Sequence, residues 1–406
     1  MTFKNILKNK NAMTAIYIGT LCSSAYLAVY FARNILSAVT PGMIEGGYSE
    51  EFIGKLSSVY FICYAVGQLI NGWIGDRIKA RYMISTGLFM SGVTSIVFSC
   101  VAGVSRGASV AVYGLTGFFL AMIYGPMTKV VAENTEPVYA TRCSLGYTFA
   151  SFVGSPCAGV AAALLVWQNV FLTSSIILVI MSVVCFSFFL LFEKKGIVKY
   201  NQYSCKRQKS GNIGVLIKHR IIKFTFISIL TGIVRTTVVF WLPTYISQYL
   251  GFASEKAALI FTTATFIISF TTFIAVFIYE KLGSDMDKTI LLMFISASVF
   301  FALVYFVKYA LLNIIFIILA IMSSNGAATM LWSRYCPGLR DTGMVSGATG
   351  FLDFVSYMSA SVSSTIFANA VSSIGWKNLI LVWLGLTISG VIIVLPFKNK
   401  KTEKLV

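Results

Sequence analysis

The chain has 406 residues, 57% of them hydrophobic and 11% charged, with a formal net charge of +18. Its mean hydropathy is +0.82. Soluble domains carry about 25% charged residues, so this composition excludes a soluble globular protein and points to a polytopic membrane protein.

The basic start MTFKNILKNKNAM leads into an apolar run that is too long for the h-region of a signal peptide, and no convincing cleavage site follows. Apolar runs of about 20 residues are long enough to cross the bilayer as helices. Twelve are predicted: 13–36, 52–74, 82–103, 108–132, 141–167, 169–192, 221–247, 255–279, 288–307, 310–334, 341–373 and 376–397.

Lys and Arg alternate between the loops that join these runs. One side holds the N-terminus, Arg77/Lys79/Arg81, the Lys129–Arg142 loop, a long central segment, Lys281/Lys288, Arg334/Arg340 and the C-terminal tail. The other side holds only Arg106, Lys256, Lys308 and Lys377. The positive-inside rule makes the basic side cytoplasmic, so both termini are expected in the cytoplasm and the number of spans is even. The same placement accounts for the positive charge without a nucleic-acid partner. The eight cysteines lie mostly inside apolar runs with no paired spacing, and they read as small core hydrophobes. No metal, cofactor or catalytic constellation is predicted, and no Walker A pattern is present.

One long hydrophilic interior segment, EKKGIVKYNQYSCKRQKSGNIGVLIKHR, separates six spans from six. The expected domains are therefore 1–192, a cytoplasmic linker at 193–220, and 221–406. An internal repeat supports the division. Arg33 lies within an apolar run and precedes Pro41, while Arg235 precedes Pro243 at the same 202-residue offset (235 − 33 and 243 − 41). A glycine-aromatic turn with Ser-Glu follows each proline: Gly47-Tyr48-Ser49-Glu50, and Gly251-Phe252 with Ser254-Glu255. An arginine at the bilayer centre costs about 2.5–3.5 kcal/mol to insert, and such residues mark functional sites. Paired fixed cations point to an anion. Repeated six-helix bundles with a midplane site are the architecture of secondary transporters.

Candidate ligand groups surround the first arginine. Tyr26, Tyr30 and Arg33 share one helical face by their spacing, and Tyr60, Tyr64 and Gln68 share another. For the tyrosines, core packing or an aromatic belt is the competing reading. Asp353 is an acid inside a span, on one face with Ser346, Tyr357 and Ser361. It reads as a proton-coupling carboxylate, as a partner for one of the arginines, or as an acid hydrogen-bonded to a neighbouring helix. Lys129 and Arg334 end spans 4 and 10, where a cytoplasmic gate or lipid headgroups would use them.

Between spans 2 and 3 lies Gly72-Trp73-Ile74-Gly75-Asp76-Arg77-Ile78-Lys79-Ala80-Arg81. This G-x-x-x-D-R-x-x-x-R pattern resembles the signature loop of the major facilitator superfamily. The resemblance implies an all-α membrane fold of twelve transmembrane helices in two pseudo-symmetric six-helix bundles, working by alternating access. Gly72 and Gly75 would allow close helix approach, Asp76 would cap a helix N-terminus, and Arg77 would pair with an acid such as Glu133. Arg81 completes the gate motif.

The segments YFARNILSAVTPGMIEGGYSEEFIGKLSS, YAVGQLINGWIGDR and VRTTVVFWLPTYISQYLGF resemble the organophosphate:phosphate antiporters, carriers of glycerol phosphate and hexose phosphates. The likeness implies that Arg33 and Arg235 grip phosphate and that Tyr26, Tyr30 and Tyr64 line the cavity. It also implies a small anionic solute as partner, inorganic phosphate as counter-substrate, and a monomer in the cell membrane. The chain departs from the family pattern at Gln68, Ser151 and Phe240, where glycerol-phosphate carriers have a lysine, a histidine and an acid. The expected function is transport of a small organic anion, with a phosphorylated metabolite foremost. A membrane sensor of sugar phosphate and a proton-coupled carboxylate symporter remain as alternatives.

Overall fold

The computed structural model describes residues 10–200, 213–252 and 254–395. Every regular element among them is helical. That is what a bilayer demands, because a helix satisfies its own backbone hydrogen bonds where no water can.

The first six expected spans are α1 (Lys10–Glu45), α2 (Glu50–Gly75), α3 (Ala80–Val101), α4 (Arg106–Leu120) continued by α5 (Tyr124–Asn134), α6 (Pro137–Leu164) and α7 (Trp167–Lys194). A six-residue helix, α8 (Ile213–Lys218), precedes α9 (Ile221–Thr244), which ends in a π-helical turn, Tyr245–Tyr249. Then come α10 (Ser254–Ser269), α11 (Thr271–Lys281), α12 (Met286–Phe306) and α13 (Ala310–Met330), the last also ending in a π-helical turn, Leu331–Tyr335. Spans 11 and 12 form one 50-residue element, α14 (Val345–Val394), bent where Gly375 takes φ 72° and ψ 167°. The expected break between them falls at that glycine, whose left-handed backbone a side chain would resist.

Nine stretches among the described residues are long and apolar enough to cross a membrane by length and composition. The helices α2, α6 and the first arm of α14 are as long but richer in Ser, Thr, Tyr and Gly, the residues that membrane helices turn toward one another. The turns repeat as the sequence does. Gly47 and Gly251 both have positive φ, 89° and 77°, and Ser49 caps α2 by accepting from the Phe52 amide at 3.3 Å. The side chains of Pro41, Pro243 and Phe240 lie outside the described residues.

By contacts the chain falls into two compact units: Met1–Ile221 with Trp332–Met358, and Ile222–Leu331 with Ser359–Val406. The sequence sets its boundary at 193–220, and the structure adds that Trp332–Met358 groups with the first unit.

In the first unit α1 packs on α6 and α7, α2 on α4, and α3 on α7. Phe98 anchors an aromatic knot, 4.9 Å by ring centroids from both Tyr113 and Phe171. The start of the linker is fixed to this unit. Val198 is buried, and the Lys199 amide donates to Asn134 Oδ1 at 2.7 Å. In the second unit Trp383 is fully buried, stacks on Phe367 at 6.1 Å and donates to Thr237 Oγ1 at 3.1 Å.

A buried amide, Asn313, organises the second unit. Its Nδ2 donates to the Val304 and Val307 carbonyls at the end of α12, at 2.9 and 3.0 Å. Its Oδ1 accepts from the Tyr245 hydroxyl at 2.6 Å, which ties the π-helical turn to α13. Asn313→Ala leaves buried carbonyls and a hydroxyl unsatisfied, at about 1–3 kcal/mol for each stranded group. It is expected to lower the melting temperature of the detergent-solubilised protein clearly more than Tyr245→Phe, which removes one hydrogen bond. Equal melting curves for wild type and Asn313→Ala would refute this role.

Candidate functional site

About two turns of α1 carry Tyr26, Tyr30 and Arg33 on one face. The face is held against α6 by Gly154, where an added Cβ would lie 2.6 Å from Tyr30 Cβ.

Arg33 is half-buried and sits among aromatic rings. Its Cζ lies 4.7 Å from the Tyr357 ring centroid, 4.8 Å from Tyr64, 5.2 Å from Tyr30 and 5.4 Å from Phe61. Cation–π contacts of this kind contribute about 0.5–2 kcal/mol each, more when water is excluded. They stabilise the charge without consuming its hydrogen-bond donors. No ion pair to Arg33 occurs among the described residues, and its Nη1 is buried without a hydrogen-bond partner. A guanidinium left in this condition has donors to offer an incoming acceptor.

Below this layer Tyr26 meets Tyr30 edge-on at 4.9 Å, stacks on Tyr124 at 5.4 Å and meets Tyr147 at 5.9 Å. Tyr124 in turn meets Trp332 at 6.1 Å. Across from α1, α2 supplies Tyr60, Tyr64 and Gln68. The Gln68 side chain is fully buried, and neither its Oε1 nor its Nε2 has a hydrogen-bond partner. The Tyr60 hydroxyl is likewise buried and unpartnered. Asp353 is buried and within electrostatic range of Tyr64, Tyr124 and Cys336.

The structure thus brings together Tyr26, Tyr30, Arg33, Tyr64, Gln68 and Asp353 in the first unit. Arg235 is half-buried on α9 of the second unit. Ser151 is buried and donates to the Thr148 carbonyl at 2.6 Å, a bond within its own helix. Sequence spacing did not find Phe61, Tyr124, Tyr147 or Trp332 and gave Tyr357 no part beside Arg33. Each lies on a different helix or turn from Tyr26, and only tertiary packing aligns them.

The G-x-x-x-D-R-x-x-x-R loop sits at the end of α2, against the start of α14. Asp76 accepts from the backbone amides of Ser346 at 2.8 Å and Gly347 at 2.7 Å. The carboxylate therefore caps a helix N-terminus and faces the positive end of its dipole. Burial pushes the Asp76 carboxyl up to about 6, opposed by the Gly347 amide, Lys129 and the Ser346 amide, and aided by Glu133. It is mostly ionised at neutral pH. Lys129 is buried and donates to the Asp76 and Gly75 carbonyls at 2.7 and 3.4 Å, which completes the C-terminus of α2.

Glycines make the approach possible. A Cβ at Gly72 would lie 2.8 Å from the Ser346 carbonyl, and one at Gly350 would collide with the Gln68 carbonyl. A Cβ at Gly75 would strike the Ser346 hydroxyl.

The two arginines of the motif take different partners. Arg77 lies over its neighbour Trp73, 3.3 Å from the ring centroid, and not in an ion pair with Glu133 as expected. A four-residue reach along the exposed end of α2 lets the guanidinium stack without losing water. Arg81 is buried and pairs with Glu193 at 2.9 Å, at the end of α7. Sequence gave no signal for that pair, which joins residues 112 positions apart.

The profile of the Major Facilitator Superfamily matches residues 22–364. Among curated proteins, the glycerol-3-phosphate transporter of Bacillus subtilis is 23% identical over 273 residues, 61% of this chain and 60% of that protein. The chain thus spans less than two thirds of that relative's length. The membrane sensor protein UhpC of Escherichia coli is 34% identical over 74 residues, 18% of this chain and 17% of its own. The glucose-6-phosphate exchanger SLC37A2 of Danio rerio is 22% identical over 261 residues, 52% of this chain and 51% of its own. These relatives belong to the organophosphate:phosphate antiporter family. Among solved structures, the Escherichia coli fucose:proton symporter FucP superposes with TM-score 0.74 at 13% identity, covering 94% of this chain and 98% of its own. The human organic anion transporter MFSD10 gives 0.73 at 13%, covering 94% and 99%. Both likenesses establish the fold.

Asp76→Ala strands two backbone amides at the start of α14, and loss of such a cap costs about 0.5–2 kcal/mol. Hydrogen exchange at residues 345–348 is expected to speed up several-fold in this variant, with α12 unaffected as the internal control. Unchanged exchange would mean that the cap does not hold α14.

Proposed function

We propose, for a chain that belongs to the Major Facilitator Superfamily, that it is a secondary transporter of a small organic anion, foremost a phosphorylated metabolite. It is a multi-pass membrane protein, and in this reading both termini are cytoplasmic and the working unit is a monomer.

The observation that carries the reading is Arg33. A permanently charged guanidinium stands inside a membrane helix, walled by four aromatic rings, with Nη1 buried and unbonded. A purely structural arginine would be neutralised by an acid or would reach the interface. A planar fork of donors suits phosphate and carboxylate alike.

Arg235 holds the repeat-equivalent position in the second unit, and the proposal assigns it the same chemistry. Tyr26, Tyr30, Tyr64 and Gln68 line the solute's path. Binding neutralises the cations and lowers the electrostatic cost of the step between access states. The Asp76 cap and the Gly72/Gly75 contact hold one of those states, and Arg77 and Arg81 steady the loop that carries it. The names of the relatives support a sugar phosphate or glycerol phosphate as solute, with inorganic phosphate as the exchanged partner.

Two further readings rest on particular observations. The match to UhpC favours sensing, in which the solute binds without being carried. Asp353, buried near Tyr64 and Tyr124, favours proton coupling, with a carboxylate as solute.

Proteoliposomes loaded with phosphate and offered sugar phosphates, glycerol phosphate and carboxylates separate these readings. Arg33→Lys and Arg235→Lys keep the charge but lose the fork, and each is expected to cut uptake by about tenfold or more. Normal uptake by either variant would sink the two-arginine proposal. Uptake driven by a pH gradient without internal phosphate, and lost in Asp353→Asn, would select proton coupling. Binding without uptake would select sensing.

A further inference from the structure

Tyr60 lies one helical turn before Tyr64 on α2 and is 2% exposed. Its backbone is held by α4. An added Cβ at Gly117 would lie 2.6 Å from the Tyr60 carbonyl, and the Asn71 side chain of α2 donates to the Phe118 carbonyl at 3.1 Å. Its ring lies 5.0 Å by centroids from Tyr113, 5.3 Å from Phe61 and 6.2 Å from Tyr64. Packing thus sets both the backbone and the ring.

A ring packed in this way would serve as well as phenylalanine. The Tyr60 hydroxyl is buried without a hydrogen-bond partner, a condition that costs free energy in a folded protein. Other buried tyrosines of the chain use theirs: Tyr245 donates to Asn313 Oδ1 at 2.6 Å, and Tyr335 to the His219 carbonyl at 3.0 Å. Tyr60 is within electrostatic range of Arg33 and Tyr30. The Tyr64 and Phe61 rings that pack on it also flank the Arg33 guanidinium, at 4.8 and 5.4 Å. Arg33 Nη1 is in the same condition as the hydroxyl. A charged and a neutral donor therefore stand unused in one aromatic layer, and one acceptor group could satisfy both.

Resting on the reading of Arg33 as an anion-binding group, we infer that Tyr60 is a further solute-binding residue, one that selects phosphate over carboxylate. Its hydroxyl donates to a phosphate oxygen outside the plane of the Arg33 fork. The difference between the two anions is one of shape. A guanidinium is planar and matches two oxygens in its own plane. A carboxylate has no others. A phosphate monoester has three acceptor oxygens, arranged tetrahedrally, so one is left for a donor that approaches from another direction. Arg235, assigned to the same anion under the proposed function, adds positive charge for either group. Tyr60 adds a direction and no charge.

The test compares glycerol 3-phosphate with 3,4-dihydroxybutanoate, which carries a carboxylate on the same diol, binding to the full-length protein in lipid nanodiscs by calorimetry. Tyr60→Phe is expected to weaken glycerol 3-phosphate about tenfold and to leave the carboxylate within about twofold of wild type. Each probe is compared with itself in wild type, so the unequal charges of the two anions cancel. The substitution removes a stranded hydroxyl, so the variant without solute is expected to melt no lower than wild type. Unchanged phosphate affinity in Tyr60→Phe, an equal loss for both probes, or a lowered melting temperature would each overturn the inference. Where the carboxylate binds too weakly to measure in either protein, the phosphate loss and the melting temperature decide. Arg33→Gln separates the inference from the reading on which it rests. If it loses both probes while Tyr60→Phe keeps wild-type phosphate affinity, the role of Tyr60 falls and the anion site stands. If it binds both probes normally, or if wild type does not bind glycerol 3-phosphate, the anion site itself falls and the inference with it.

Discussion

The contact between α2 and the first arm of α14 is the constraint on which the rest depends. The two run antiparallel, with Tyr64 meeting Tyr357 at 5.2 Å, Gly72 facing Gly350, and Asp76 on the amides of Ser346 and Gly347. One line of contacts therefore joins two clusters of the first unit. At one end it brings the Tyr64 and Tyr357 rings to Arg33. At the other it seats a carboxylate on a helix N-terminus. A shift of α14 along α2 by one helical turn, roughly 5.4 Å, would break the cap and the ring pair together.

This coupling has a physical cost that explains its residues. Lipid offers no hydrophobic drive for helix association, so close packing and polar contacts must supply it. Gly72, Gly75, Gly347 and Gly350 give the closeness, and Asp76 gives the polar contact. Lys129 then satisfies the carbonyls that end α2, which the cap alone leaves open. The result is a joint that is well satisfied, yet rests on few interactions.

Around Arg33 the logic is reversed. The rings hold the charge by their quadrupoles, and Gln68, Tyr60 and Nη1 of Arg33 remain unsatisfied. Folded proteins seldom leave buried polar groups in that condition. Here they collect on the faces of α1 and α2 that carry Arg33, Tyr60 and Gln68. The second unit shows no such economy at Asn313, whose amide uses both of its ends to hold helix termini.

Sequence alone determined the membrane class, the repeat, the glycine turns that return as positive φ at Gly47 and Gly251, and the helical face of Tyr26, Tyr30 and Arg33. These are local matters, set by hydropathy over about 20 residues and by a period of 3.6. Asp76 as a cap was legible because its motif carries the chemistry within ten residues. Tertiary structure alone decided the aromatic wall from Phe61, Tyr124, Tyr147, Trp332 and Tyr357, the pairing of Arg81 with Glu193, the stacking of Arg77 on Trp73, and the isolation of Gln68. Each depends on which helix lies beside which, and at what height. Spacing within one helix holds no record of its neighbour's register, which close packing across the membrane settles.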